Sequence, residues 1–506
     1  MNFSKIHHSL HHPDPKIKVC RWGQLIFMTA AILSFLIGAA ASPVSKPCFG
    51  FVVFGCLFVW ISGLFFSAEK LKDRFLLLAF QCVIFVFLIS RPVLNIFMGR
   101  KWYRYFNVDA IWFGFGSISL SLIMLALGSF LAQRRYDKKP VKSKDPRLAP
   151  RRQNPEDFRL VSLLAYLFCM VFFLIGETDK LIFMHGRNYQ EFYTAYQSQL
   201  PFFVGTFAAM TPFSMAIYLS TLPRKKPAFF VLLLYILSVV PQFIIGIRNP
   251  LVLHCLLTLF YYVLRDTMGD PEIWFGKWEK RLLLLAIPAG ALGLSSLNYI
   301  RSGENMAFSG IFSSIIDLFY KQGVTFNVLC DGYTFMYDLP GDDKFFTLGP
   351  FIDYLQRNRI GCMLLGLTPF PHGNSVNYAL YGNNLSHTLS YALLNDYLEG
   401  HGTGSCSSLE LYIDYGFPGV LIGNLLLGFC LTAMVRKFSG SWLSRSIILI
   451  CLTELFFIPR AEATGWLLFL IQPHFWLVTG ACVLGAKLFE KLEVRSFFRR
   501  FCPKHP

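Results

Sequence analysis

The chain has 506 residues, 54% of them hydrophobic and only 15% charged, with 53 phenylalanines, a composition outside the range of soluble globular domains. Its formal net charge of +17 raises nucleic acid as a partner, but the Lys and Arg gather in short loops between long apolar stretches. That is the charge distribution of a membrane protein and argues against a nucleic-acid partner.

In chain order, the polar, His-rich N-terminus runs to Arg21 and leads into an apolar stretch expected to be retained as an anchor. Segments apolar and long enough to cross a bilayer follow at 24–41, 49–66, 75–90, 111–131, 160–176, 202–222, 228–245, 251–263, 282–297, 417–435, 447–458 and 466–484. The expected fold class is an all-α polytopic membrane protein of about twelve transmembrane helices with one large non-cytoplasmic loop. Its expected organisation is a cytoplasmic N-terminus (1–23), helices one to nine (24–297), the large loop (298–410), helices ten to twelve (411–486) and a cytoplasmic basic tail (487–506).

Orientation follows from charge. With the N-terminus in the cytoplasm, the basic loops 70–74, 134–159, 224–226, 265–281 and 436–445 and the tail all fall on one side, as the positive-inside rule requires. The 13 cysteines form no CxxC pair and no Cys/His cluster with zinc-ligand spacing, so they read as small apolar packing residues.

Segment 298–410 is then the one place for a sizeable extramembrane structure. Its stretch 311–329 mixes apolar and polar residues as an amphipathic helix lying along the membrane surface would. The run FPHGNSVNYALYGNNLSHTLSYALLNDYLEGHGTGSCSSLELY is rich in Asn, Ser, Tyr, His and Gly, which suits hydrogen bonding and aromatic stacking on a polar ligand.

The basic residues left on the outer side are the informative ones. Arg248 in GIRNP, Arg301 in NYIRSGEN and Arg460 in IPRAEATG sit at outer helix ends. Singly, each fits a side chain snorkelling to headgroups; together they fit one anionic site, because the guanidinium holds phosphate oxygens through paired donors.

The strongest local signal is GHGTGSCSSLELYIDYGFPGVLIG at 400–423. Gly402 and Gly404 permit tight turns against a ligand, and Ser405, Ser407 and Ser408 can cap a helix whose N-terminus attracts anions. Glu410 and Asp414 place two carboxylates one helical turn apart. The plainer reading is a loop-to-helix junction, but a carboxylate beside an apolar span is costly enough to favour function.

His372, His387 and His401 are the loop histidines able to act as a general base, and an ordinary loop hydrogen bond is the alternative for each. His474 reads as a packing residue. The acids Glu177, Asp179, Asp331, Asp338, Asp342 and Asp343 form no DxD in a strand context, and no P-loop, GxGxxG, GxSxG or HExxH is present. No metal and no cofactor is expected, and a reaction at the outer face would have to draw on a donor already activated in the membrane.

The run GTGSCSSLELYIDYGFPGV resembles the glycine–serine–carboxylate–tyrosine–glycine signature before a late helix of O-antigen polysaccharide polymerases, the Wzy family. GIRNP, LNYIRSGEN and IPRAEATG resemble the arginine segments of that family, and the resemblance covers about 160–484. It implies a bacterial inner-membrane glycosyltransferase of the helical GT-C type, acting at the periplasmic face with both termini cytoplasmic. Such an enzyme moves a growing glycan from undecaprenyl diphosphate onto the next lipid-linked repeat, without metal or nucleotide sugar.

Carried onto this chain, the resemblance gives Arg248, Arg301 and Arg460 the diphosphates, with Arg301 also stabilising the leaving group. Glu410 or His401 would deprotonate the acceptor hydroxyl, and Gly404, Ser405, Tyr412 and Asp414 would line the substrate. At Asp414 the family pattern often has Asn. The implied partners are the undecaprenyl-diphosphate-linked oligosaccharide, the bilayer and a chain-length regulator protein.

Two other activities share the layout. An O-antigen ligase has the same helical count, a large outer loop and outer arginines, and His401 is compatible with it. A repeat-unit flippase predicts two repeated halves and polar residues near the midplane, neither of which is evident in the sequence.

Overall fold

A computed structural model of the chain describes residues 15–41, 48–138, 155–187, 189–302, 311–341, 343–371 and 373–492. The basic run 139–154 and the tail 493–506, both used to set orientation, lie outside the described residues. Every regular element among the described residues is helical. This is the solution open to a chain in lipid, since a helix satisfies its own backbone donors and acceptors.

Nine helices among the described residues are long and apolar enough to cross a membrane: Pro15–Ala41, Phe49–Glu69, Leu71–Phe97, Val108–Asp137, Glu156–Met184, Phe202–Ser220, Lys225–Ile244, Ser407–Lys437 and Trp442–Arg460. Each coincides with an expected span, usually extended by a turn at one or both ends. The three remaining expected spans also form helices, with more polar or interrupted sequences. Asn249–Thr267 carries His254, Arg265 and Asp266, Lys277–Ser302 opens on KWEKR, and the last divides into a 3-10 turn, Gly465–Leu470, and a helix beginning at Pro473.

The chain forms two compact units. One comprises Met1–Lys138, Phe319–Tyr337 and Ser408–Arg436; the other comprises Lys139–Leu318, Asp338–Ser407 and Lys437–Pro506. In the first unit, Val108–Asp137 and Ser407–Lys437 meet through glycine. A Cβ on Gly128 would lie 2.0 Å from the Leu425 carbonyl oxygen, and one on Gly428 would lie 2.1 Å from the Leu125 carbonyl oxygen. Between lipid-exposed helices, such close backbone approach supplies the packing that hydrophobicity cannot. Buried hydroxyls reinforce it: Ser129 Oγ lies 2.6 Å from Thr432 Oγ1, and Asn424 Nδ2 donates to Ser121 Oγ at 3.0 Å.

At one end of this unit a buried Arg74 donates to Gln133 Oε1 at 2.6 Å and stacks on the Phe66 ring, while Arg436 pairs with Asp73 and Asp137. Removing a partner from this network would leave the buried Arg74 charge less well compensated.

The stretch 311–329 is helical, but not as one continuous helix. It splits at Gly323 into Ile311–Gln322 and Thr325–Phe335, and the second helix buries Phe326, Leu329 and Cys330 in the first unit. The cause is local: a Cβ on Gly323 would sit 2.5 Å from Arg91 Cβ, so glycine lets the chain dock directly on the neighbouring helix.

In the second unit the rest of the expected loop is a set of short helices, including Gly349–Arg357, Arg359–Leu365, Val376–Tyr381 and Leu385–Leu393. Asn358, Ser375 and Asn384 cap the last three through side-chain oxygens, so polar residues suited to a ligand also start the helices.

Candidate active site

The short helices of the second unit, with Glu462 and Leu468, line an open cleft of about 440 Å³, within the range of sites that hold small molecules. Two carboxylates face it, Asp353 from Gly349–Arg357 and Glu462 from the turn after Arg460. Consecutive asparagines in YGNNLSH each hold one of them. Asn383 gives its backbone N–H to both Asp353 oxygens at 3.0 Å and its Nδ2 to Oδ1 at 2.9 Å. Asn384 gives its Nδ2 to Glu462 Oε1 at 2.6 Å.

These amides are fixed by secondary structure. Asn384 is the N-cap of Leu385–Leu393, and its Oδ1 accepts from the His387 backbone N–H at 3.2 Å, which turns Nδ2 toward the carboxylate. Asn383 Oδ1 likewise accepts from the Phe345 N–H at 3.1 Å. Gly349 makes the approach possible, since a Cβ there would lie 1.9 Å from the Asn383 carbonyl oxygen.

Burial, reinforced by the neighbouring charges of Glu454 and Asp353, lifts the Glu462 carboxyl to about 7. Burial also lifts Asp353, opposed by the Asn383 donors and by Arg357 and Lys344. Lys344 is itself lowered to about 8 by burial, and it ties two helices together by donating to the Ala379 carbonyl at 2.6 Å and to Thr388 Oγ1 at 2.9 Å. A carboxyl titrating near neutrality beside a second carboxylate is the arrangement of an acid–base centre.

One wall is aromatic. The Arg357 guanidinium lies 4.3 Å over the Phe370 ring, Phe370 stacks on Tyr378 at 4.6 Å, and Tyr378 stacks on His387 at 4.1 Å. Tyr397 Oη donates to the Ser375 carbonyl at 3.2 Å and therefore accepts from His387 Nδ1, 2.8 Å away. Burial lowers His387 to about 4, so the ring is neutral at physiological pH and acts as a brace. Stacked rings beside amides and carboxylates present both the flat apolar face and the hydrogen-bonding edges that a sugar requires.

The residues singled out in the sequence divide between the units. In the first, Glu410, Tyr412 and Asp414 lie on Ser407–Lys437, which starts ten residues before the expected span and is broken by Gly416 at φ 62°, two residues before Pro418. Glu410 and Asp414 share a helix face as their spacing requires, with Glu410 fully buried and Asp414 partly exposed. Tyr412 packs on Phe113 at 4.4 Å and on Phe417 at 5.0 Å. Asp331 is in the same unit, lifted by burial to about 6.

In the second unit, Gly404 takes the left-handed conformation at φ 82°, whereas Gly402 does not, and Ser405 is buried. His401 Nδ1 lies 3.6 Å from Asp396 Oδ2 with both side chains partly exposed. The His401 carbonyl accepts from Asn374 Nδ2 at 2.8 Å, which ties the glycine-rich loop to the helices of the cavity wall. Arg248 stands at the break before Asn249–Thr267, Arg301 is one residue from the end of Lys277–Ser302, and Arg460 ends a 3-10 turn containing Pro459. Arg460 is two residues from Glu462 in sequence. His372 and Asp342 lie outside the described residues.

Sequence reasoning did not single out Asp353, Asn383, Asn384 or Glu462. The only signal for them was the polar richness of the segment and, for Glu462, its place in IPRAEATG. Compared with known families, residues 24–493 match the model described as O-antigen polysaccharide polymerase Wzy. No curated protein and no solved structure gives a significant match.

Proposed function

The chain belongs to the O-antigen polysaccharide polymerase Wzy family, and from that premise we propose that it polymerises undecaprenyl-diphosphate-linked oligosaccharide repeats, with Glu462 as the base that activates the acceptor sugar. The observation that carries this reading is the Glu462 carboxyl, held near 7 in a cavity walled by stacked aromatic rings and amides.

In the proposed step an acceptor hydroxyl gives its proton to the Glu462 carboxylate as its oxygen bonds to the donor's anomeric carbon. The bond from that carbon to the diphosphate oxygen breaks, and polyprenyl diphosphate leaves as an anion. Arg248, Arg301 and Arg460 hold the diphosphate charge, whose stabilisation is the electrostatic part of catalysis. Burial, with the charges of Glu454 and Asp353, raises the proton affinity of Glu462, and the Asn384 hydrogen bond opposes that rise. Gly404 and Ser405 shape the approach to the site, and Tyr412 and Asp414 contact glycan. Glu410 and His401 remain candidate bases; Glu462 is preferred because it faces a cavity, whereas Glu410 is fully buried and the His401 side chain is only partly buried.

The proposed topology is twelve spans in a GT-C-like body in the bacterial inner membrane, with cytoplasmic termini and residues 298–410 periplasmic. A chain-length regulator is the proposed protein partner, and a native-membrane co-purification recovering none would count against it. The decisive test is a gel of surface glycan from cells whose only copy is Glu462→Gln. Single lipid-anchored repeats in place of a ladder are expected; a normal ladder overturns Glu462 as the base. The same gel from the Arg248→Lys, Arg301→Lys and Arg460→Lys strains tests the arginines, since Lys lacks the paired donors.

A further inference from the structure

The first unit carries a second, strongly basic cavity that none of the proposed roles uses. Its volume is about 400 Å³, and Arg91, Arg100, Lys101 and Arg104 line it together with Tyr320 and Asn95; no carboxylate is among the lining residues. It lies at the end of Leu71–Phe97 remote from Arg74.

The local structure brings these cations together. The Leu71–Phe97 helix widens into a π-helical turn at Phe85–Ile89, a feature often found at functional sites. Ser90 Oγ then bonds the Phe319 carbonyl at 3.0 Å, and Gly323 docks on the Arg91 backbone, which together bring Tyr320 against Arg91. A left-handed turn at Gly99 reverses the chain, and the 3-10 turn Trp102–Tyr105 is pinned by buried Trp102, edge-on to Phe115 and Phe326 at 6.0 Å each. The result is two guanidiniums on one ring: Arg91 at 4.5 Å and Arg100 at 4.7 Å from the Tyr320 centroid.

Cations gathered without a carboxylate repel one another, and an anion relieves that repulsion while arginine forks supply paired donors to phosphate oxygens. Four cations around one cavity suit a diphosphate better than a singly charged phosphodiester. The surroundings indicate where the anion comes from: Tyr105, which lines the cavity, is 84% exposed, and Phe97, two residues after the lining Asn95, is 74% exposed, the amphipathic and apolar side chains expected of a lipid-facing helix end.

We propose that this cavity binds the diphosphate head of a membrane-anchored lipid, as a site separate from the Arg248, Arg301 and Arg460 set. This rests on the reading that the protein joins two lipid-linked chains, each of which brings its own diphosphate, so two basic sites are needed.

The test measures binding of undecaprenyl diphosphate without sugar to the full-length protein in nanodiscs, so polymerisation does not enter. Because the other proposed diphosphate site is left intact, the double variant Arg100→Gln/Arg104→Gln, at exposed positions, is expected to lower the lipid bound from two per protein to one, this site being weakened at least ~10-fold. Arg134→Gln, an exposed control at the far end of Val108–Asp137, is expected to bind as the parent does. Unchanged binding in the double variant overturns the site. Equal affinity for neutral undecaprenol overturns the anion, and equal affinity for inorganic pyrophosphate or phosphatidylglycerol overturns the lipid diphosphate. A normal ladder from Glu462→Gln would undo the proposed base and leave this binding result standing.

Discussion

Asn384 Nδ2 donates to Glu462 Oε1 at 2.6 Å while its Oδ1 caps the helix that carries His387, so one side chain couples helix initiation to the proposed base. Donation to a carboxylate favours its ionised form, and a neighbouring carboxylate disfavours it. A base must be ionised to take a proton, so activity is expected to rise through about pH 7, where Glu462 titrates. Asn384→Asp is unsuitable as a test, because it would add a charge. Asn384→Ala removes the donor and is expected to move the rising limb to higher pH. Asp353→Asn removes like-charge repulsion and is expected to move it to lower pH. Polymerisation of a synthetic lipid-linked repeat across pH 5–9 checks both signs; shifts in the same direction would contradict the assignment.

Tyr378 forms the middle of the aromatic wall, between Phe370 and His387. If the wall supports a sugar face, the ring matters more than the hydroxyl. Tyr378→Phe is expected to keep most activity, and Tyr378→Ala is expected to raise the acceptor KM by roughly tenfold, about 1.4 kcal/mol of lost stacking. Acceptor titrations at fixed donor separate this from a change in kcat.

The helical spans were legible because their signal is simple: long apolar runs separated by charge, each matched by a helix within a few residues at most ends. The site was legible only in part. Arg460 is legible as a charge at a helix end, whereas little in the sequence marks Glu462, two residues on, because its burial and its neighbour Asp353 come from the folded chain. The adjacent Asn383 and Asn384 read as generic loop polarity, since nothing in YGNNLSH says which carboxylate each amide will meet. Arg91, Arg100 and Arg104 were hidden for a related reason: the residue that organises two of them, Tyr320, is more than two hundred positions away.

Gly128 and Gly428 set the spacing of two helices in the first unit. Gly128→Leu has no room, because the nearest obstacle is the backbone carbonyl of Leu425 and cannot rotate away. The expected cost is about 3 kcal/mol or more, seen as a lower unfolding temperature in detergent and reduced membrane yield. Gly116→Leu on the same helix is the control, since a Cβ there meets nothing within 4 Å.

Gly349 offers the sharpest separation of packing from chemistry. It is neither titratable nor able to contact a sugar through a side chain, yet an added Cβ would collide with the Asn383 carbonyl oxygen at 1.9 Å. That peptide belongs to the residue whose backbone and side-chain donors hold Asp353. Gly349→Ala is therefore expected to displace Asn383 and loosen Asp353 while the membrane helices fold normally. The predicted outcome is a protein of near-parental yield and unfolding temperature with activity reduced ~10-fold or more, in line with the sensitivity of catalytic geometry to displacements of an ångström. Parental activity in Gly349→Ala would mean that the Asn383–Asp353 arrangement does not matter to the reaction, and the carboxylate pair would lose its place in the mechanism.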